Sequence, residues 1–368
     1  MRHTKTLATV AALLWSTAAG AQTTLPGSFI VDNEETSRVG TRGANFLHIG
    51  IGARAQAMGG AGSALIEGPN ALFWNPANIV GREQLAMFAS YMKLYGNSGI
   101  TDLALAITIP VGQGAIGFAG TQFNSGEMDR TTEIAPDGND PVFPGQFTWN
   151  SYAFTGHYAR NITDRLAAAV GVRFVQEGVD FANIKFFGLD LSTRFRTGLY
   201  GLTVSAALQN IGGMGSFDGP GVDRAITAAR ENGLATGRNL PVEWSTMEVQ
   251  MPTAFTFGVL ANLYGDAEAV LGSNDTHSLL AELDFRDAVD TDIQPSLGVE
   301  YGFRNRFFAR VGRKFMNERH AEWEGSTGTS FGAGLRAPVM GRTFTLDYAY
   351  VMMGQLQSNQ VISFEISN

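Results

Sequence analysis

The chain has 368 residues, a formal net charge of −8 and no cysteine. The absence of cysteine excludes disulfides, thiolate metal sites and catalytic thiols, and the negative charge argues against a nucleic-acid partner. Its 45 glycines and 25 phenylalanines suit a chain built of strands and turns, because aromatic residues favour strands and glycine favours turns.

Residues 1–21 have the three parts of a secretory signal peptide. Arg2 and Lys5 form a basic start, Leu7–Trp15 is a short apolar run, and Ala19–Ala21 is a small-residue cleavage site. The apolar run is too short to span a membrane as a helix. We therefore predict export, cleavage near Ala21 and a mature chain without a helical transmembrane segment.

Residues 22–82 precede the first predicted strand and contain many small residues between Phe46 and Gly81. Small residues allow one backbone to pack closely against another in a crowded space. Asn75-Pro76 is a turn signal that ends any short helix over Asn70–Trp74. We predict that this segment is a hatch, packed inside the space that the later strands enclose.

Residues 83–368 alternate between apolar and polar side chains, which is the period of a β-strand. Alternation and turn signals together predict fourteen strands, with ends uncertain by a few residues. The predicted strands are Gln84–Tyr95, Ile100–Pro110, Gly114–Asn124, Phe147–Arg160, Arg165–Gln176, Phe181–Arg196, Gly198–Asn210, Pro252–Tyr264, Thr276–Asp287, Gln294–Arg304, Arg306–Met316, Gly328–Ala337, Arg342–Met353 and Gln360–Ser367.

The alternation alone fits two architectures. A soluble sandwich places the apolar face of each strand in its core, whereas a barrel in lipid places that face outward. Connection lengths favour the barrel, because short and long connections fall on opposite sides. The short side holds Val111–Gln113, Asn161–Asp164, Thr197, Gly265–Asp275, Asn305 and Pro338–Gly341, and the other side holds the long Ser125–Gln146, Ile211–Met251 and Asn317–Thr327.

Charged side chains share the polar parity of the predicted strands. An arginine facing lipid at mid-depth costs about 2–4 kcal/mol, so these residues are expected to face the lumen of a closed antiparallel transmembrane β-barrel. Two roles stay open for them: they brace the hatch against the wall, or they contact a substrate. The predicted lumen charges are Arg173, Asp190, Arg194, Arg196, Glu282, Asp284, Arg286, Glu300 and Arg310.

Three motifs in the predicted hatch carry a resemblance to a known family. Phe46–Arg54, Met58–Ala61 and Trp74–Ala77 together resemble the PorV/PorQ family of outer-membrane proteins, which is similar to the FadL-type transporters. Leu208–Gly212 and Leu346–Tyr350 look like later landmarks of that family. The resemblance implies a fourteen-stranded barrel with an N-terminal hatch in the bacterial outer membrane. The hatch residues that it marks are Gly52, Arg54, Gly59, Gly60, Asn75, Pro76 and Ala77.

The resemblance implies one of two functions. PorV-like proteins serve type IX secretion, so the first prediction is a barrel that binds secretion machinery or exported cargo through its outer loops. The longest of these loops, Ile211–Met251, includes a predicted short helix over Asp223–Asn232. The alternative is a FadL-like channel for long-chain fatty acids or other hydrophobic solutes, with an apolar pocket between hatch and wall.

We predict neither an enzyme nor a cofactor or metal protein. Gly50-x-Gly52 lacks the strand and βαβ context of a dinucleotide loop, and no nucleophile elbow is present. The four histidines of the mature chain have no metal-ligand spacing; they are His48, His157, His277 and His320. Because the chain is predicted to be an outer-membrane barrel, membrane lipid is its first expected partner.

Overall fold

The computed structural model describes residues 38, 40–81, 84–138, 145–179, 182–219, 222–227, 239–243, 246–315 and 327–367. The predicted signal peptide and the start of the predicted hatch, residues 22–37, lie outside these ranges. In the part of the chain that the structure describes, no helix is long and apolar enough to cross a membrane.

Fourteen antiparallel strands form one closed barrel, which confirms the predicted fold. Each strand pairs with the next along the chain, and the first pairs with the last, so the sheet has no open edge. The strands are β1 (Ala86–Lys93), β2 (Thr101–Val111), β3 (Gly114–Asn124), β4 (Trp149–Asn161), β5 (Leu166–Val179), β6 (Ala182–Arg196), β7 (Leu202–Gly212), β8 (Ala254–Tyr264), β9 (His277–Ala288), β10 (Gln294–Phe303), β11 (Phe307–Lys314), β12 (Thr329–Val339), β13 (Arg342–Met352) and β14 (Ser358–Ser367).

The two faces of the barrel wall have the polarity that a membrane requires. On β6, for example, Leu189 is 49% exposed while the neighbouring Asp190 is 1% exposed, and this alternation recurs around the barrel. Outward-facing positions are mostly large and apolar, and most inward-facing ones are small or polar. Because this is the reverse of a soluble sandwich, the outer face is the lipid-facing one.

The two ends of the barrel differ in their connections, as the sequence predicts. The short-turn end, which also holds the start of β1 and the end of β14, has connections 112–113, 162–165, 197–201, 265–276, 304–306 and 340–341. The long-loop end has connections 94–100, 125–148, 180–181, 213–253, 289–293, 315–328 and 353–357. Only 265–276 is long among the connections of the short-turn end.

Every strand start except that of β7 lies within two residues of the prediction, and two of the differences have a structural cause. β7 begins at Leu202 and not at Gly198, because Tyr200 and Gly201 have positive φ angles of 53° and 58° and complete a turn. Phe147 is not part of β4. It pairs with Met128 in a small two-stranded sheet within the loop that joins β3 to β4.

The predicted short helix over Asp223–Asn232 is wrong at its start. Residues Asp223–Thr227 form a strand that pairs antiparallel with Asn239–Glu243, and residues 228–232 lie outside the described ranges. A helix of ten residues is marginal in water without tertiary support, whereas a hairpin satisfies backbone groups across the pair. A third small sheet joins Met214–Gly215 to Val249–Gln250 in the same loop.

Residues Ala44–Val80, called here the luminal segment, fill the inside of the barrel. The segment consists of helix α1 (Ala53–Ala57), three 3₁₀ helices and tight turns. Its apolar side chains pack against small lumen-facing residues of the wall, because only small residues leave room for a second layer. The 3₁₀ helices are Asn45–His48, Gly68–Phe73 and Pro76–Ile79, and the wall alanines of this core are Ala104, Ala106, Ala115, Ala119, Ala159, Ala167 and Ala169.

Candidate functional site

Two carboxylates on β9 hold the middle of the luminal segment. Asp284 Oδ2 accepts the backbone N–H groups of Gly62 and Ser63, each at 3.0 Å. Glu282 Oε1 accepts those of Ala64 at 2.6 Å and Leu65 at 3.2 Å. Four consecutive backbone donors thus meet two buried acids, so this turn has a fixed position in the lumen.

A chain of charges joins helix α1 to the wall at β10, β11 and β13. Arg54 donates two hydrogen bonds to Glu300, at 2.8 and 2.7 Å. Arg310 bridges Glu300 and Asp347, with a bond of 2.6 Å to the latter. Although burial by itself lowers the pKa of the Arg54 guanidinium, the adjacent Glu300 raises that pKa above its ordinary value. Arg54 is therefore a permanent cation that ties α1 to β10.

The Asn-Pro-Ala motif fixes the last turn of the luminal segment. Asn75 Oδ1 accepts the N–H of Ala77 at 3.0 Å, and Asn75 Nδ2 donates to the Thr193 carbonyl on β6 at 3.0 Å. Pro76 begins the following 3₁₀ helix, where its fixed φ fits the first turn. The Ala77 N–H also reaches Ser192 Oγ at 3.0 Å. The side chain of Asn75 is therefore engaged in anchoring this turn.

Glycine is required where the luminal segment meets the wall most closely. Gly59 has φ +74°, and an added Cβ there would overlap the backbone of Arg313 on β11. Its N–H donates to Ser330 Oγ at 2.9 Å. Gly52 and Gly60 also have positive φ angles, of 94° and 84°. A side chain at Gly59 would thus be strained and would also push the segment off the wall.

Four of the five remaining predicted lumen charges fall into two groups, and the fifth, Arg286, faces the cavity described below. Arg173 donates to Asp190 at 2.7 Å, and the same carboxylate oxygen, Asp190 Oδ2, lies within hydrogen-bond distance of His157 Nε2, at 3.0 Å. Near the short-turn end, Arg194 donates to Glu67 of the luminal segment at 3.1 Å, while Arg196 is largely exposed. The first group reinforces the wall across β4, β5 and β6, and the second ties the luminal segment to it.

A cavity of about 690 Å³ lies between the luminal segment and the long-loop half of the wall. This volume is in the range of small-molecule sites in proteins. Its floor includes Phe46, Trp74 and Gly60, and its rim includes residues of the long-loop connections such as Tyr95 and Phe217. On the other side of the luminal segment, near the short-turn end, a polar cavity of only about 40 Å³ adjoins Arg54 and Arg310.

One side of the larger cavity is basic. Arg286 of β9 and Lys314 of β11 face it, and His48 of the luminal segment bonds Asp290 there at 3.1 Å. His48 lies outside the spanning strands. Burial and the nearby Arg286 lower its pKa, with Asp290 acting in the opposite direction. His48 is consequently neutral at pH 7, so its Nε2–H donates to the carboxylate.

Sequence reasoning missed several residues that take part in this arrangement. Lys314 and Asp290 lie at strand ends, where a face cannot be assigned from alternation, and Glu67 lies in an irregular turn. Asp347 did fall on the polar parity of β13 and could have been added to the lumen charges. Ser63 offered no local signal, because its partner Asp284 is distant in sequence.

The fold and the site define a transmembrane β-barrel whose lumen is filled by its own N-terminal segment, below a cavity that adjoins the long loops. No family model and no curated protein matches the chain. The similarity lies with solved structures of FadL/TodX-type transporters and concerns the fold.

Three of these structures each cover 86% of this chain. They are the toluene transporter TbuX of Ralstonia pickettii (15% identity, TM-score 0.51, 97% of that chain), the toluene transporter TodX of Pseudomonas putida (14%, 0.51, 97%) and a FadL homologue of Pseudomonas aeruginosa (13%, 0.50, 98%). Identities this low show a shared architecture, and none of the three is a PorV or PorQ protein.

Proposed function

We propose that this barrel is a channel of the bacterial outer membrane for hydrophobic solutes, such as long-chain fatty acids. The observation that carries the proposal is the cavity of about 690 Å³, which adjoins the long loops and has aromatic side chains in its lining. The fold shared with toluene transporters and a FadL homologue supports the same function. In an outer-membrane barrel the short turns lie on the periplasmic side, so the short-turn end of this barrel would face the periplasm and its long loops would face outward.

The luminal segment would act as the hatch of this channel. It separates the larger cavity from the short-turn end, so a solute must move it or pass beside it. The ties at Asp284, Glu282 and Arg54 are the contacts that such a movement must weaken. Because the tie at Arg54 joins two buried charged groups, it contributes about 1.5–3 kcal/mol, and we expect passage to involve only part of the segment.

The test is native mass spectrometry of the barrel extracted from its own outer membrane in mild detergent. We expect a bound mass of fatty-acid size, or of a smaller hydrophobic solute, on the parent protein. Ser296→Trp fills the cavity from the wall and should abolish the bound mass. Ser296 forms no hydrogen bond that joins it to another described side chain.

Leu297→Trp is the matched control, since Leu297 neighbours Ser296 on β10 but faces lipid. This variant should retain the solute. The channel proposal fails if no hydrophobic mass is recovered from the parent, or if both tryptophan variants retain it equally.

A second candidate is the secretion-associated function implied by the PorV/PorQ resemblance. The loops of the long-loop end favour it, because they form small sheets of their own and expose apolar side chains such as Met214 and Met247. A photo-crosslinker at Met247, which is 85% exposed, should capture one defined secretion component or exported protein. A crosslinker at Met340, which is 99% exposed at the short-turn end, should not. Equal capture at both positions would count against this function.

A further inference from the structure

Arginines are concentrated at one part of the short-turn end. Arg304 and Arg306 lie in the turn between β10 and β11, and Arg342 begins β13 in the next hairpin. The side chains of these three residues, called here the arginine patch, are exposed. Although the whole chain has a net charge of −8, no acidic residue occurs in 303–307 or 336–344. The patch is therefore a local excess of positive charge.

The patch arginines differ from other exposed arginines of the same end in lacking polar partners. Arg196 pairs with Glu67, and Arg160 donates to the Gln113 side chain. Within the described ranges, none of the three patch residues forms a salt bridge or a side-chain hydrogen bond. Because a guanidinium group stays protonated in proteins, the patch is a permanent cationic surface with free donors.

The two hairpins that carry the patch are held together by Arg336 of β12. Its backbone N–H donates to the Arg306 carbonyl at 2.7 Å, and its guanidinium donates to Asn305 Oδ1 at 2.6 Å. The same guanidinium lies over the ring of the buried Phe308, with Cζ 5.0 Å from the ring centroid. Arg336 is thus occupied on the inner side of the wall, and it fixes the patch as a preformed surface.

The patch lies at the edge of the lipid-facing surface. Arg342 has the same parity on β13 as the exposed Leu346. Arg304 lies over the ring of Phe303, which has the parity of the exposed Tyr301, and its Cζ is 5.1 Å from the ring centroid. An arginine at the end of a spanning segment keeps its stem against apolar groups and extends its charge toward the lipid headgroups.

A shallow depression lies beside the patch on the lipid-facing surface. Ala309 of β11 and Ala333 of β12 are cross-strand partners, and both are exposed. Their outer neighbours in the same row are Tyr301 and Tyr348, whose side chains project from the wall on either side. Phe307 separates the depression from the patch. Two adjacent alanines between two tyrosines leave room for an acyl chain against the wall.

We propose that the arginine patch binds the phosphate of an anionic phospholipid, with one acyl chain extending past Phe307 into the depression at Ala309 and Ala333. Guanidinium groups donate paired hydrogen bonds to phosphate oxygens, and basic clusters beside spanning segments attract anionic headgroups. A zwitterionic lipid has the same phosphate but adds a cation, which the patch repels. This inference concerns the outside of the wall and does not depend on the channel function.

The experiment compares dioleoylphosphatidylglycerol with dioleoylphosphatidylcholine, which have the same acyl chains and differ in headgroup charge. Binding of each lipid to the purified, delipidated barrel in mild detergent is measured by native mass spectrometry. The patch variant combines Arg304→Gln with Arg342→Gln. The control combines Arg160→Gln with Arg165→Gln, which removes two exposed charges from the same end of the barrel. A third variant, Ala333→Trp, fills the depression.

We expect the parent and the control to bind phosphatidylglycerol at least about tenfold more tightly than phosphatidylcholine. The patch variant should lose about fivefold in phosphatidylglycerol affinity for each arginine removed. Its affinity for phosphatidylcholine should stay unchanged, which also shows that the variant is folded. Ala333→Trp should weaken both lipids alike, because their acyl chains are identical.

Four results would overturn the inference. Equal affinity of the parent for both lipids refutes headgroup selection, and this result needs no variant to fold. Equal losses in the patch variant and the control mean that the charge of the whole rim, and not the patch, attracts the lipid. Unchanged affinities in Ala333→Trp refute the acyl-chain position. A protein that is extracted with the parent and lost only from the patch variant, without a lipid preference, assigns the patch to a protein partner.

Discussion

Single residues of β9 and β10 organise the lumen by accepting hydrogen bonds that the luminal segment cannot satisfy internally. Asp284 and Glu282 accept hydrogen bonds from backbone N–H groups of a tight turn, and Glu300 accepts hydrogen bonds from the Arg54 guanidinium. These acids lie on two paired strands of the closed sheet, which fixes their positions in the lumen. Both the backbone donors and the cation would carry a desolvation cost if they were left alone in the lumen.

Replacing Asp284 with alanine should loosen the luminal segment and leave the barrel intact. The substitution leaves the backbone donors of Gly62 and Ser63 without an acceptor, at a cost of about 1–3 kcal/mol each. Hydrogen–deuterium exchange of residues 62–65 should become at least about fivefold faster. Asp287→Ala, on the lipid-facing side of the same strand, is the control and should change nothing in this region. Unaltered exchange in Asp284→Ala would contradict the assigned contact.

The titration of His48 tests the electrostatics of the cavity. Since Arg286 lowers the pKa of His48 and Asp290 raises it, Arg286→Gln should raise this pKa and Asp290→Asn should lower it further. The imidazole resonances of His48, followed by NMR as pH falls from 8 to 5, give the value in each protein. Shifts of the same sign in both variants would show that His48 does not lie between these two charges.

At the scale of elements, the luminal segment and the wall are fitted to each other by small residues. Gly312 and Gly298 of the wall leave space for Met58, and Gly117 leaves space for Leu72. The segment has only short helices because its backbone follows the inside of a curved wall, which one long helix could not do. Ala53, Gly59 and Ala77 of the segment donate backbone N–H groups to serine hydroxyls of the wall.

Gly59→Ala should displace the luminal segment from β11. The added methyl group meets the Arg313 backbone, and φ +74° is a conformation that alanine adopts only at a cost of about 1–2 kcal/mol. Limited proteolysis should then cut residues 50–65, which are protected in the parent. Gly40→Ala is the matched control, because Gly40 has φ +77° but open space around its Cα. If the two variants are cut alike, backbone strain and not close packing explains the effect.

The whole molecule is stabilised by closure of the sheet and by opposite polarity on its two faces. Closure gives the backbone N–H and C=O groups of β1 and β14 hydrogen-bond partners, which hydrocarbon could not provide. The apolar outer face then contacts lipid, while the lumen can contain charges such as Arg310 and Asp347, because they pair with each other.

Val172→Arg tests the membrane position of the barrel. Val172 is 61% exposed near the middle of β5, so an arginine there should lower the free energy of unfolding in lipid vesicles by about 2–4 kcal/mol. Ile162→Arg is the control. Ile162 is equally exposed, at 60%, but lies in a short turn, where the cost should be about 0–1 kcal/mol. Equal costs would mean that β5 does not cross the hydrocarbon at Val172.

The sequence by itself determined the barrel. Alternation of side chains sets which face of a strand is apolar, and the difference between short and long connections decides between a sandwich and a membrane barrel. These are local properties, so all fourteen strands were predictable. The errors fell where the signal is not local: the start of β7 depends on two positive φ angles, and Asp223–Thr227 is a strand because Asn239–Glu243 is beside it.

Only the tertiary structure decided what the lumen contains. The polar parity of the strands marks Asp284, Arg286 and Glu300 alike as inward-facing, yet Asp284 and Glu300 are bonded to the luminal segment and Arg286 is not. That difference arises from contacts between residues more than two hundred positions apart in the sequence. The cavity has the same origin, because its volume is the space that remains between two surfaces after both have packed.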